Sequence, residues 1–153
     1  MPNSKAAERY YQITGQRVPP ELEAKSASEI PLEPSGKVHL VRASINGIEG
    51  RFVLDTGASY TSVYQSAAKR FSLSPSTRQA EVHTANGTIQ VPVTYGNLQV
   101  GQQKLNGAAV LLMPDSNDRA IDGLLGNDFL WRFDPEIDTR GNRLILRGFR
   151  GEK

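Results

Sequence analysis

From Lys37 onward the hydrophobic residues fall into short runs, rich in β-branched side chains and broken repeatedly by glycine, asparagine or proline. Val38 to Ile45 reads as a strand, and Asn46-Gly47 as a tight hairpin turn. Ile48 to Leu54 is the returning strand. Val63 to Phe71, with Ala67, Ala68, Lys69 and Arg70, has a helical composition, and Ser72 to Thr77 forms a turn around Pro75. A second hairpin runs from Glu81-Val82-His83-Thr84 through Ala85-Asn86-Gly87 to Thr88-Ile89-Gln90-Val91, where Asn86-Gly87 favours a primed turn. Pro92 marks an edge position or a bulge. Val93 to Val100 and Lys104 to Met113 are further strands, broken at Gly101-Gln102 and Asn106-Gly107. Ile121 to Gly126 is apolar and bounded by glycines, and Asn127 to Trp131 suits a short helix capped by Asn127. Phe133 to Asp138 and Arg143 to Arg147, turning through Arg140-Gly141-Asn142, complete a third hairpin. Short strands with frequent turns imply an all-β barrel or sandwich with one or two small helices.

Residues 1–36 have a different texture. Lys5 to Tyr11 suits one or two helical turns and Glu21 to Ser28 a short helix. Pro19-Pro20, Pro31 and Pro34 oppose any long element, because each lacks a donor and restrains the residue before it. The expectation is a polar N-terminal extension or tether over 1–36, followed by one domain over 37–153.

Composition narrows the chemistry. The 153 residues suit one domain with a real core, and 38% hydrophobic with 22% charged residues is a soluble globular composition. There is no apolar run long enough to span a bilayer and no apolar signal-peptide core after Met1. The absence of cysteine excludes disulfides, thiol catalysis and thiolate metal sites. The formal charge is +2, and twelve of the eighteen basic residues are Arg, four of them near the end: Arg140, Arg143, Arg147 and Arg150. Without interleaved aromatics these read as a solvated strand face, so no nucleic-acid partner is expected. His39 and His83 have no metal-ligand spacing. Ser59 lacks a nucleophile-elbow pattern, and no phosphate-binding glycine loop is present. Trp131 reads as a core residue behind its helix.

One stretch carries chemistry. Phe52-Val53-Leu54 ends abruptly in Asp55-Thr56-Gly57-Ala58-Ser59. A carboxylate at a strand end can face a cleft. Thr56 adds a hydroxyl, and Gly57 permits close backbone approach with its N–H aimed at the acid. Alone, the triplet reads better as an Asx-type turn closing a strand, since such tripeptides arise by chance. Its context adds a glycine-tipped hairpin about thirty residues later and an apolar-apolar-Gly element, Leu124-Leu125-Gly126, directly before a short helix.

That ordered set resembles the retropepsin-like aspartic proteases, the family of the retroviral proteases and their bacterial relatives, from about Val38 to Leu146. Asp55-Thr56-Gly57-Ala58-Ser59 matches the family's catalytic loop, Thr84-Ala85-Asn86-Gly87 its flap tip, and Leu124-Leu125-Gly126 its apolar-apolar-Gly motif. The resemblance implies an all-β closed barrel with one or two short helices and a cofactor-free, metal-free aspartic endopeptidase. Its chemistry needs two carboxylates sharing one proton across a bound water, because like charges that close cannot both ionise. No second half-site is present: Asp115-Ser116 precedes Asn117, Asp138-Thr139 precedes Arg140, and Asp122-Gly123 lacks the hydroxyl. One acid per chain implies a homodimer with Asp55 from each copy on the two-fold axis.

Further expectations follow from the resemblance. Thr56 bonds across the dyad, Gly57 makes room for the water, Ala58 lines the cleft and Ser59 braces the loop. The hairpin around Ala85-Asn86-Gly87 closes over an extended peptide or protein substrate. Arg143 to Arg147 is either the interleaved dimer strand of retroviral members or an ordinary edge strand with basic flanks. A periplasmic location is favoured over a cytoplasmic one, although the chain shows no membrane segment. The alternative is a catalytically silent member of the same fold that binds peptides or dimerises.

Overall fold

A computed structural model describes residues 27–116 and 120–147. Ten strands are present among them: β1 Ala27–Ser35, β2 Val38–Ile45, β3 Ile48–Leu54, β4 Ser62–Tyr64, β5 Gln79–Thr84, β6 Gly87–Val100, β7 Gln103–Met113, β8 Gly123–Leu125, β9 Glu136–Asp138 and β10 Arg143–Arg147. Two one-turn helices, α1 Gln65–Ala68 and α2 Asn127–Leu130, each run on into a 3-10 turn, Lys69–Phe71 and Trp131–Phe133. The helix expected over Val63 to Phe71 therefore starts two residues late, because Val63 and Tyr64 are claimed by a parallel ladder to Leu112 and Met113.

Six strands close on themselves in the order β2-β3-β8-β4-β7-β6, with β6 returning to β2 through Ser44↔Gln99 and Ile45↔Leu98. Closure removes free edges from that ring. Alternating side chains point inward, so Val41, Ala43, Ile45, Phe52, Val63, Leu98, Val110 and Leu125 are buried together. Phe52 and Phe71 approach with ring centroids 6.0 Å apart, and Phe129 and Phe133 lie 4.9 Å apart, joining both helical turns to this core. Trp131 departs from its expected place. It is 57% exposed, because one turn of helix can turn only one face inward, and Phe129, Leu130 and Phe133 occupy that face.

The β2–β3 turn behaves as the sequence implied. Asn46 and Gly47 both have positive φ, 53° and 83°, and the Asn46 side chain donates to the Phe71 carbonyl at 2.9 Å. The β5–β6 turn differs from the expected primed type. Ala85 and Asn86 occupy its corner with ordinary φ, and only Gly87 is positive, at 119°. A primed turn would place the Cβ-bearing Ala85 in the left-handed region, which is unfavourable for L-residues. The Thr84 hydroxyl instead donates to the Gly87 carbonyl at 2.7 Å and accepts from Asn86 N–H at 3.2 Å.

Residues 27–35, assigned by their prolines to the extension, form a nine-residue strand. Of the short helix expected over Glu21 to Ser28, Ala27 and Ser28 are strand, and the remainder, like Lys5 to Tyr11, lies outside the described residues. β1 pairs with β10 as far as Pro31↔Arg143, then with β2 from Leu32↔Val41. β6 repeats the device: it pairs with β5 up to Pro92↔Gln79 and with β7 from Val93↔Leu111. A proline has no N–H to give to a ladder, so it fits where a strand changes partner and opposes strand formation only in a ladder's middle.

β10 is not an edge. It has β1 on one side and β9 on the other, pairing with β9 over Arg143 to Ile145. Leu144, Ile145 and Leu146 are buried, and Arg143 and Arg147 pair with Glu29, Asp138 and Glu136. Its basic flanks therefore sit within a three-stranded sheet and are matched by acids of the neighbouring strands.

Candidate active site

The local sequence places a carboxylate at the end of β3, and β3 lies parallel to β8 through Phe52↔Gly123, Val53↔Leu124 and Leu54↔Leu125. Asp55 N–H continues that ladder to the Leu125 carbonyl at 3.1 Å. Two segments seventy residues apart in sequence, the acid loop and the apolar-apolar-Gly element, are thus neighbours. Asp55 is half-buried, with Thr56 and Gly57 exposed beside it. Its Oδ1 accepts Gly57 N–H at 3.0 Å, and its carbonyl accepts Ala58 N–H at 3.2 Å. The glycine N–H that the sequence aimed at the acid is there.

The remainder of the loop lies along the start of α2. Asn127 was expected as the helix cap; that position belongs to Gly126, which has no side chain to offer. The loop caps the helix instead. Ala58 and Ser59 carbonyls accept the otherwise unpaired N–H groups of Asn127 and Asp128 at 2.9 and 3.1 Å. The Asn127 side chain, released from capping, donates to the Thr56 carbonyl at 2.7 Å. Such close approach requires glycine: a Cβ on Gly126 would stand 2.5 Å from the Tyr60 carbonyl, and one on Gly123 would overlap that of Ser62. In Leu124-Leu125-Gly126, Leu125 is fully buried, Leu124 is half-buried, and Gly126 lets the loop cross.

Sequence reasoning missed two residues of this assembly. Thr61, 1% exposed, donates from its backbone N–H and its hydroxyl to Asp128 Oδ1, each at 2.9 Å, and its hydroxyl accepts Gly126 N–H at 3.1 Å. Phe129 N–H donates to the same carboxylate oxygen at 2.9 Å. Burial raises the Asp128 carboxyl above the usual carboxylate range, against the opposing pull of the Thr61 hydrogen bonds. The partners are 67 residues apart, so no local pattern could have shown them.

The other acids weighed as a second half-site have structural partners. Asp122 accepts Arg51 N–H at 3.0 Å and pairs with Arg70 at 2.5 Å, strapping β3 to the turn after α1. Asp115 accepts Ser66 N–H at 2.7 Å at the start of α1. Asp138 accepts N–H groups from Arg140 and Gly141 and pairs with Arg143, and these interactions, the Gly141 bond first, lower its carboxyl below the usual range.

The hairpin tip Thr84-Ala85-Asn86-Gly87 is exposed. It stands on a second, smaller apolar cluster, in which Val91, Val93 and Leu111 are buried with Ala80, Val82, Ile89 and Met113 packed against them. The structure thus gathers the acid loop and Leu124-Leu125-Gly126 into one unit and carries the hairpin tip on another.

Residues 41–129 match the aspartyl protease family, and the chain belongs to it. The fold is retropepsin-like. Among solved structures it is similar to a retropepsin-like aspartic protease from Rickettsia conorii, with a TM-score of 0.59 and 21% sequence identity over 80% of this chain and 90% of that one. No curated protein matches the chain.

Proposed function

We propose that this protein is an aspartic endopeptidase whose active form is a homodimer with one Asp55 from each copy. The observation that carries the reading is the placement of Asp55: a strand-end carboxylate, half-buried, with one oxygen held by Gly57 N–H, on a loop hydrogen-bonded to a helix. Each other candidate acid is tied to structural partners, so the second carboxylate comes from a second copy. One Asp55 takes a proton from the bound water and the other gives one to the scissile carbonyl oxygen. The pair shares a proton, so activity belongs at acidic to mildly acidic pH. Thr56 contacts its counterpart across the two-fold axis, Ala58 faces the cleft and Ser59 braces the loop. The β5–β6 hairpin closes over an extended peptide, with Thr84 to Gly87 at its tip.

β10 already has a strand on each side, which supports an interface through another surface than a β10 interleaved from both chains. Among the described residues no helix is long and apolar enough to cross a membrane. A periplasmic site of action is part of the proposal, and fractionation of expressing cells tests it. The central test is peptide-library cleavage with Asp55→Asn as control, alongside solution mass. Cleavage that survives the substitution overturns the mechanism. Peptide binding without turnover by the unmutated chain supports the silent, peptide-binding reading instead.

A further inference from the structure

Asp128 is a half-buried carboxylate to which the proposed catalysis gives no work, yet three donors converge on it. Thr61 N–H, the Thr61 hydroxyl and Phe129 N–H all reach Oδ1 at 2.9 Å. Two of them come from the residue that ends the Asp55 loop, and the third from the helix on which that loop rests. The Thr61 hydroxyl also accepts Gly126 N–H, so a chain of hydrogen bonds runs from Gly126 through Thr61 to Asp128. Arg132 faces the same carboxylate from the following turn and donates Nε to the Asp128 carbonyl at 3.1 Å.

The loop leaves β3 at Asp55 and enters β4 at Ser62. Its start is fixed by the ladder to Leu125 and its middle by the carbonyl bonds to Asn127 and Asp128. Its far end has Thr61, whose carbonyl accepts Leu111 N–H at 3.1 Å and whose N–H and hydroxyl are bonded to Asp128. We propose that Asp128 is a positioning residue for Asp55: through Thr61 it anchors the far end of the loop to α2 and so sets where the Asp55 carboxylate stands. This inference rests on the protease reading for its catalytic readout, while the anchoring itself is measurable without any turnover.

All three donors use one oxygen. Asparagine keeps an acceptor at that place, so Asp128→Asn preserves the anchor, and alanine removes it. A misplacement of about 1 Å in a catalytic group can lower a rate by about 10²-fold.

The experiment measures amide hydrogen exchange and peptide cleavage on the full chain, for Asp128→Ala, Asp128→Asn and Thr61→Val. The expected result is faster exchange at Gly57, Ala58 and Thr61 in Asp128→Ala, with Val110 in the β6–β7 ladder as protected as in the parent. In the same variant kcat falls by about 10- to 100-fold with KM unchanged. Asp128→Asn keeps both parent values. Thr61→Val, which retains the backbone bond and loses the hydroxyl, lies between; it carries the test if the alanine variant does not fold. Parent-like loop protection together with parent-like kcat in the variant that folds overturns the proposal. So does an asparagine variant as impaired as the alanine one. If the unmutated chain cleaves nothing, the protease reading fails, and the exchange arm alone still decides whether Asp128 anchors the loop.

Discussion

The loop at Asp55 and the tip of the β5–β6 hairpin are both turns that follow a strand, and they are held by opposite means. The Asp55 loop is fixed by distant partners: Leu125, Gly126, Asn127 and Asp128 take or give hydrogen bonds at Asp55, Thr56, Ala58, Ser59 and Thr61, across 65 to 71 residues of sequence where side chains are involved. The hairpin tip is held by its own neighbours, Thr84 with Asn86 and Gly87, and His83 with Thr88 at 3.0 Å. A group that must be placed needs bonds to a framework that does not move with it. On the proposed reading the hairpin closes over a peptide, and bonds that travel with it suit that motion. The apolar clusters divide the same way: the loop stands on the main core and the hairpin on a satellite of Val91, Val93 and Leu111.

The contrast can be broken at several points. Asp55→Asn has the largest expected effect, a loss of at least about 10³-fold in kcat/KM with the fold retained, measured by peptide cleavage and circular dichroism. Gly126→Ala comes next. Its Cβ meets the Tyr60 carbonyl at 2.5 Å, so either the loop or α2 must shift. The expected outcome is a destabilisation of about 1–3 kcal/mol in denaturant unfolding, with impaired turnover. Gly87→Ala strains only the hairpin tip, where φ is 119°. It should cost about 1–2 kcal/mol and, on the proposed reading in which the tip covers the substrate, raise KM more than it lowers kcat.

Two acids sharpen the comparison through pH. Asp128 is raised by burial, so its contribution is complete below its unfolded pKa and is lost as pH rises through the higher folded value. Asp128→Asn should therefore gain stability relative to the parent between acidic and neutral pH. Asp138, lowered by Gly141 N–H and Arg143, contributes above its unfolded pKa and loses that as pH falls through its lower folded value. Asp138→Asn should lose stability relative to the parent over the same rise in pH. Thermal unfolding across the range reads both signs, and equal slopes would show that neither acid feels its surroundings. The smallest effect belongs to Arg42→Ala, whose pair with Glu49 at 3.0 Å lies in the open; it should change stability by less than about 0.5 kcal/mol and leave turnover alone.

Much of this was legible because it is local. The Asn46-Gly47 turn needs only two residues that tolerate positive φ, and the strand periods around it need only alternation. Asp55 with Gly57 is likewise a matter of three residues, and the N–H that Gly57 offers depends on nothing farther away. The misreadings share one origin. Pro31 looked like a strand breaker, because whether a missing N–H matters depends on which strand lies alongside. Asn127 looked like a cap, because nothing in its neighbourhood announces that Ala58 and Ser59 carbonyls will arrive first. Trp131 looked buried, because a single helical turn does not reveal which face meets the core.

By itself, the sequence determined that this chain is mainly β, that β3 ends in Asp55-Thr56-Gly57, and that no second such motif accompanies it. Those properties follow from side-chain type, backbone preference and order along the chain. Only the tertiary structure decided which strands surround β10, that β1 belongs to the sheet, and that Thr61 and Asp128 tie the acid loop to α2. These depend on hydrogen bonds between segments far apart in sequence, whose partners are chosen by how the barrel closes.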